Sequence, residues 1–140
     1  MEEDLLSVTN VAAGILFGGM LAFTGFLAPM AFSRLPEEHA GPFVQGLFPN
    51  YYIIGTAISA IGAFAAITVK QPEAIILWFV AMGFLFSRYY VMPRTVAAYE
   101  ARDRGEIGAA EKFADLHKRA SFINMIQIIL LLVVLIRMAG

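Results

Sequence analysis

Residues 116–127, LHKRASFINMIQ, place His117, Ser121 and Asn124 at i, i+4 and i+7, with Gln127 beside them. On an α-helix these positions share one face. The next residues, IILLLVVLI, are wholly apolar. A polar stripe on a helix that enters lipid is expected to turn inward, toward the other helices. The inner ends of those helices offer Asn50, Tyr51 and Tyr52, then Arg88, Tyr89 and Tyr90, and the backbone freed by Pro29, while His39 approaches from a loop. His117, Ser121, Asn124, Gln127, Asn50, Tyr51 and Arg88 therefore form the candidate binding cluster.

Three chemistries suit such residues. Asn, Gln, Ser and Tyr hydrogen-bond between helices and pin their register, each for about 0.6–2 kcal/mol. His117 and His39, the only histidines, offer ligands to haem or to a metal completed by methionine or tyrosine. No HxxxH or HxxE spacing accompanies them. Arg88 and Arg94, with the tyrosines, offer donors to an acidic small molecule or an anionic lipid headgroup. Enzyme chemistry finds little support: cysteine, GxSxG and HExxH are all absent. Every Asp and Glu is expected in a loop or at the N-terminus, which argues against a carboxylate proton relay.

The elements that position these residues follow from composition. Of 140 residues, 59% are hydrophobic and 15% charged, with a mean hydropathy of +0.72. So small a chain cannot hide that much apolar surface from water, so lipid is its expected solvent. A net charge of −1 gives no electrostatic reason to expect nucleic acid. The acidic start, MEEDLLSVTN, lacks the positive region of a secretory signal, so the first apolar stretch is expected to be retained.

Four segments meet the roughly 20-residue requirement for crossing a bilayer. They run at about 11–32, 51–69, 74–91 and 121–138, in one domain spanning 1–140. The expected fold is all-α, an integral membrane four-helix bundle. The short KQPE turn at 70–73 makes the second and third spans antiparallel neighbours. Lys70 and Arg137 would share one face with both termini. Arg34, Arg88, Arg94, Arg102, Arg104, Lys112, Lys118 and Arg119 would lie on the other. That asymmetry places the longer loops in the cytoplasm and both termini outside it, in a bacterial inner membrane.

Between the spans, Pro36 with Glu37 and Glu38 reads as a helix start. Pro42 is expected to interrupt it, leaving Phe43, Val44, Leu47 and Phe48 as an interfacial segment. The 94–104 stretch should continue the third helix to a stop at Gly105. Glu100→Arg104 and Asp115→Arg119 are spaced as (i, i+4) ion pairs on a solvated face. Gly14 with Gly18, and Gly55 with Ser59 and Ala63, form small-residue rows. Such rows suit helix seams within the bundle or a homodimer face, and the first use is favoured here. Met20 and Met30 are spaced like Met82 and Met92, near Pro29 and Pro93, and FPNYYII at 48–54 echoes FINMIQI at 122–128. This is compatible with a duplicated helix hairpin.

In FLAPMAFSRL, AGPFVQGLFPNYY and FADLHKRASFIN the chain resembles the transmembrane protein 205-like family, small four-span membrane proteins of unknown function. Phe26, Pro29, Phe32, Ala40, Gly41, Leu47, Phe48, Pro49, Tyr51, Pro93, Phe113, Leu116, His117, Ser121 and Asn124 carry the likeness. It implies a four-helix membrane bundle and points to the same polar stripe. More distantly, the layout is similar to the copper-resistance D and haem-associated HemJ-type membrane proteins, whose further ligands have no counterpart in these spans. The expected role is a non-enzymatic binding, accessory or small transport module with its polar cluster at the cytoplasmic end. Haem or metal handling, lipid-headgroup binding and service as a subunit of a larger membrane complex or a homo-oligomer stand as alternatives.

Overall fold

A computed structural model describes residues 1–140. Four long helices account for nearly all of them: α1 (Glu2–Arg34), α2 (Glu37–Ala66), α3 (Gln71–Asp103) and α4 (Ala109–Ala139). There are no strands. At 1.5 Å per residue, a 33-residue helix such as α1 or α3 is about 50 Å long, against an apolar bilayer core of about 30 Å. The helices therefore cross the membrane and project beyond it. Both termini and the 67–70 turn lie at one end, called here the terminal end. The 35–36 and 104–108 turns lie at the other, the turn end.

Each helix packs against its two neighbours in the order α1–α2–α3–α4–α1, so α1 stands diagonally opposite α3 and α2 opposite α4. The core is built from Ala13, Leu16, Met20, Tyr52, Ala63, Leu77, Val80, Phe84, Leu131 and Val134. The outside is apolar as well: Phe26 is 70% exposed and Phe79 67%. A water-soluble bundle would turn a polar face outward there, whereas lipid accepts these side chains.

Small residues set the closest approach. A Cβ at Gly55 would stand 2.7 Å from the Phe84 ring, and one at Gly62 would stand 3.1 Å from both Ala12 and Leu77. Thr9 seals the same layer by donating to the Gly62 carbonyl at 3.3 Å. The Gly55, Ser59 and Ala63 row is thus an intramolecular seam. The Gly14 and Gly18 row is not: nothing lies within 4 Å of a Cβ placed at either glycine, and both face outward. Leu16 and Met20 take the inward positions of α1 instead.

Helix α2 corrects the expected first loop. It starts at Glu37 after Pro36, as the proline and acids suggested, but runs unbroken through Pro42 and Pro49. Each proline removes one backbone donor, leaving the carbonyls of Glu38 and Gln45 without their helical partners. Burial of Ala40, Val44 and Tyr52 against the neighbouring helices outweighs that loss. There is accordingly no separate interfacial segment.

Prolines shape α1 and α3 differently. Phe23–Leu27 and Ser87–Val91 each form a wide, π-helical turn, followed two residues later by Pro29 and Pro93. A proline ring would collide with the carbonyl four residues back in a regular helix, and an i→i+5 turn moves that carbonyl aside. The two helices carry the same device at the same distance from their prolines. Helix α3 ends near Gly105, which has φ +77° as a helix stop requires. Arg104 lies just past the helix end, so it pairs with Glu106 at 2.9 Å rather than with Glu100. Asp115 and Arg119, inside α4, do form their (i, i+4) pair at 3.1 Å.

Candidate functional site

The polar stripe of α4 does not close into one cluster. Its deeper members act as pins between helices. Gln127 is 3% exposed and donates from Nε2 to the Val80 carbonyl at 2.8 Å, a fit that requires Gly83, where a Cβ would stand 2.7 Å from the amide nitrogen. Tyr51 donates its hydroxyl to Asn124 Oδ1 at 2.7 Å, crossing the bundle between the diagonal helices α2 and α4. These contacts satisfy polar groups that lipid could not.

His117 and Ser121, nearer the turn end, border a cavity of about 540 Å³. Asn50 faces elsewhere, into a groove on the outside of α1 and α2. Arg88 lies on the flank of α3 with its guanidinium 5.1 Å from the Tyr89 ring and a buried Nε without a hydrogen-bond partner. His39 is exposed on the first turn of α2, with Nε2 3.6 Å from the Glu38 carboxylate. His117 lies against Phe113, ring centroids 6.1 Å apart and nearly parallel, and no group of three or more His, Asp or Glu side chains gathers around it.

The cavity draws its walls from all four helices. Phe23, Thr24, Ala28 and Pro29 of α1, together with Val91 and Met92 of α3, place both wide turns on its lining. Helix α2 adds Val44, Gln45, Phe48 and Tyr52. The continuation of α2 through Pro42 matters here, because an interfacial loop could not supply that wall. Toward the turn end the lining becomes polar, with Glu37, Arg102 and the His117 imidazole.

Arg102 is the cation that spacing alone did not single out. Its guanidinium carbon lies 4.6 Å from the Tyr99 ring centroid and 4.8 Å from that of Phe113, two rings that are themselves 5.5 Å apart. Cation–π contact with both fixes the group in place. Its one carboxylate neighbour, Asp103, is 3.9 Å away, too far for a hydrogen bond. No carboxylate hydrogen-bonds its donor edge. The legible signal was Tyr99 three residues before Arg102 on one helix face, but that stretch read as a solvated surface. Ala98, buried beside Tyr99, shows the face to be packed. Gly41 is needed for the same packing: a Cβ there would stand 3.2 Å from the Tyr99 hydroxyl oxygen.

A second charged contact lies at the terminal end. Glu73, expected in a polar turn, sits in the first turn of α3 and is only 1% exposed, and Arg137 Nε of α4 donates to its Oε1. A buried acid is thus present after all, at the membrane boundary rather than mid-span.

A family model described as "Domain of unknown function (DUF4149)" matches residues 11–104. No curated protein and no solved structure matches the chain.

Proposed function

The chain belongs to the DUF4149 family, and from the geometry of its site we propose that it is a non-enzymatic membrane protein that binds an anionic amphiphile in the cavity at its turn end. One observation carries this reading. Arg102 is held against Tyr99 and Phe113 with its donor edge free, at the charged end of a cavity whose other end is aromatic and aliphatic. A planar guanidinium binds a phosphate or carboxylate through two parallel hydrogen bonds. Ser121 supplies a hydroxyl, while those of Thr24 and Thr95 donate to the Met20 and Val91 carbonyls, and Phe23, Phe48 and Met92 supply apolar surface. The volume lies within the range of small-molecule sites. The likeness to the transmembrane protein 205-like proteins is compatible with this role and names no reaction.

The turn end carries seven of the ten lysines and arginines, with Arg88 at the middle of α3, which supports a cytoplasmic placement for it, with both termini on the opposite side of an inner membrane. There the cavity mouth would meet the anionic headgroups of the cytoplasmic leaflet. Reporter fusions at the C-terminus test this: activity of a reporter that works only outside the cytoplasm is expected, and activity of a strictly cytoplasmic reporter would reverse the orientation.

The binding test compares wild type with Arg102→Gln, both purified in mild detergent and analysed for co-purifying lipid by mass spectrometry. Removing a charge-assisted bidentate contact worth about 1.5–3 kcal/mol should lower retention of the anionic lipid by about ten- to a hundredfold. Equal retention with an intact fold would refute the assignment of Arg102.

A further inference from the structure

A groove of about 330 Å³ lies between α1 and α2, with Phe84 of α3 at its back. No charged side chain lines it; the polar side chains are the Asn50 amide and the Tyr51 phenol. Ile15, Leu27 and Ile54 on its walls are exposed on the bundle's apolar exterior, so the groove opens toward the acyl chains of the bilayer.

One side chain, Phe23, borders both this groove and the cavity. Its ring stacks on Tyr51, a groove residue, with centroids 4.4 Å apart and planes at 20°. Its other aromatic neighbour is Phe48, a cavity residue, at 5.2 Å and edge-on. Along α2, Leu47 and Tyr51 face the groove while Phe48 and Tyr52 face the cavity. Phe23, with the Phe48–Tyr51 ring pair beside it, therefore stands between a lipid-facing apolar channel and a cavity whose far end carries Glu37 and Arg102. Phe23 also opens the wide turn Phe23–Leu27, and such interruptions of the regular helical ladder recur at functional sites.

We propose that the groove is the tail subsite for the cavity's ligand, that the ligand is an acyl-chain lipid arriving sideways from the bilayer, and that Phe23 is the gate between tail and head subsites. This rests on the reading of the cavity as an amphiphile site. The head lies toward Arg102, and the chain passes Phe23 and runs beside Met20 and Ile54. The gating motion is rotation of one side chain, with no backbone rearrangement.

The experiment uses the full chain in vesicles of phosphatidylcholine and phosphatidylglycerol. Two photoreactive phosphatidylglycerols are added in turn, one with its diazirine near the end of an acyl chain and one with it in the headgroup. Adducts are mapped by mass spectrometry in wild type, Phe23→Ala, Phe23→Trp, Phe23→Leu and Arg102→Gln, and thermal unfolding in detergent verifies that each variant is folded. If the alanine variant does not fold, the leucine and tryptophan variants carry the comparison. In wild type the chain probe should label groove residues and the headgroup probe the cavity. Cavity labelling should rise several-fold in the smaller variants and fall several-fold in Phe23→Trp, while groove labelling persists. Cavity labelling indifferent to residue 23 but lost in Arg102→Gln would overturn the gate and leave the binding site standing. Absence of groove labelling would overturn the tail subsite. Absence of cavity labelling in every protein, the smaller variants included, would overturn the amphiphile reading itself.

Discussion

Tyr51 and Asn124 share one hydrogen bond across the bundle, and Gln127 makes a second to the backbone of α3. Within the membrane such a bond contributes modestly, because a loosened helix finds other partners for the same groups. Tyr51→Phe and Asn124→Ala are each expected to lower the unfolding free energy by about 1 kcal/mol. The double variant should cost clearly less than the sum, since the same bond is removed only once. Denaturant titration in mixed micelles measures all three, and full additivity would mean that the bond contributes nothing. His117 and Ser121 stand apart from these pins. They border the cavity, so their substitution should affect ligand retention more than stability.

Helix packing distinguishes glycines that look alike in sequence. Gly55 lies under the Phe84 ring, where an added methyl has no room, so Gly55→Ala is expected to cost about 1–3 kcal/mol. Gly14→Ala and Gly18→Ala meet open space on the outer face and should be neutral, or stabilising by about 0.5–1 kcal/mol through helix propensity. Thermal unfolding of the three variants in one detergent checks the order, and a large loss at Gly14 would point to a helix–helix contact beyond the single chain. The apolar lengths, the acidic helix start after Pro36 and the stop at Gly105 were legible in the sequence because each depends on neighbouring residues. The passage of α2 through Pro42 and Pro49 was not, because it depends on burying Ala40, Val44 and Tyr52 against residues distant in the chain.

Across the whole molecule, charge is distributed between the two ends. The turn end gathers the basic residues and the cavity, and the terminal end is tied by Glu73 and Arg137. The tie joins the start of α3 to the last turn of α4, where the bundle has no turn to hold those helices together. Arg137→Ala leaves a buried carboxylate without its cation, which is expected to cost about 3 kcal/mol. Glu73→Gln keeps the shape and removes the charge, so its cost should be smaller, because Arg137 is half exposed and can be solvated. Comparing their unfolding free energies tests this, and an equal cost would mean that the lost charge attraction alone, with no added penalty for an unpaired buried carboxylate, accounts for the tie.

Solvent, helix number and alternating direction follow from composition and apolar length, because a bilayer demands about 20 apolar residues for every crossing whatever lies beside them. The polar stripe of α4 was likewise legible, since helical spacing alone brings His117, Ser121 and Asn124 to one face. Which of its members pin helices and which border the cavity was decided by the tertiary structure. So were the clasp of Arg102 by Tyr99 and Phe113, the burial of Glu73 and the place of Phe23 between groove and cavity. The physical reason is that a cavity is space left between helices, set by how closely Gly55 and Gly62 let them approach and by where the two wide turns fall, and a residue's neighbours across that space are unrelated to its neighbours along the chain.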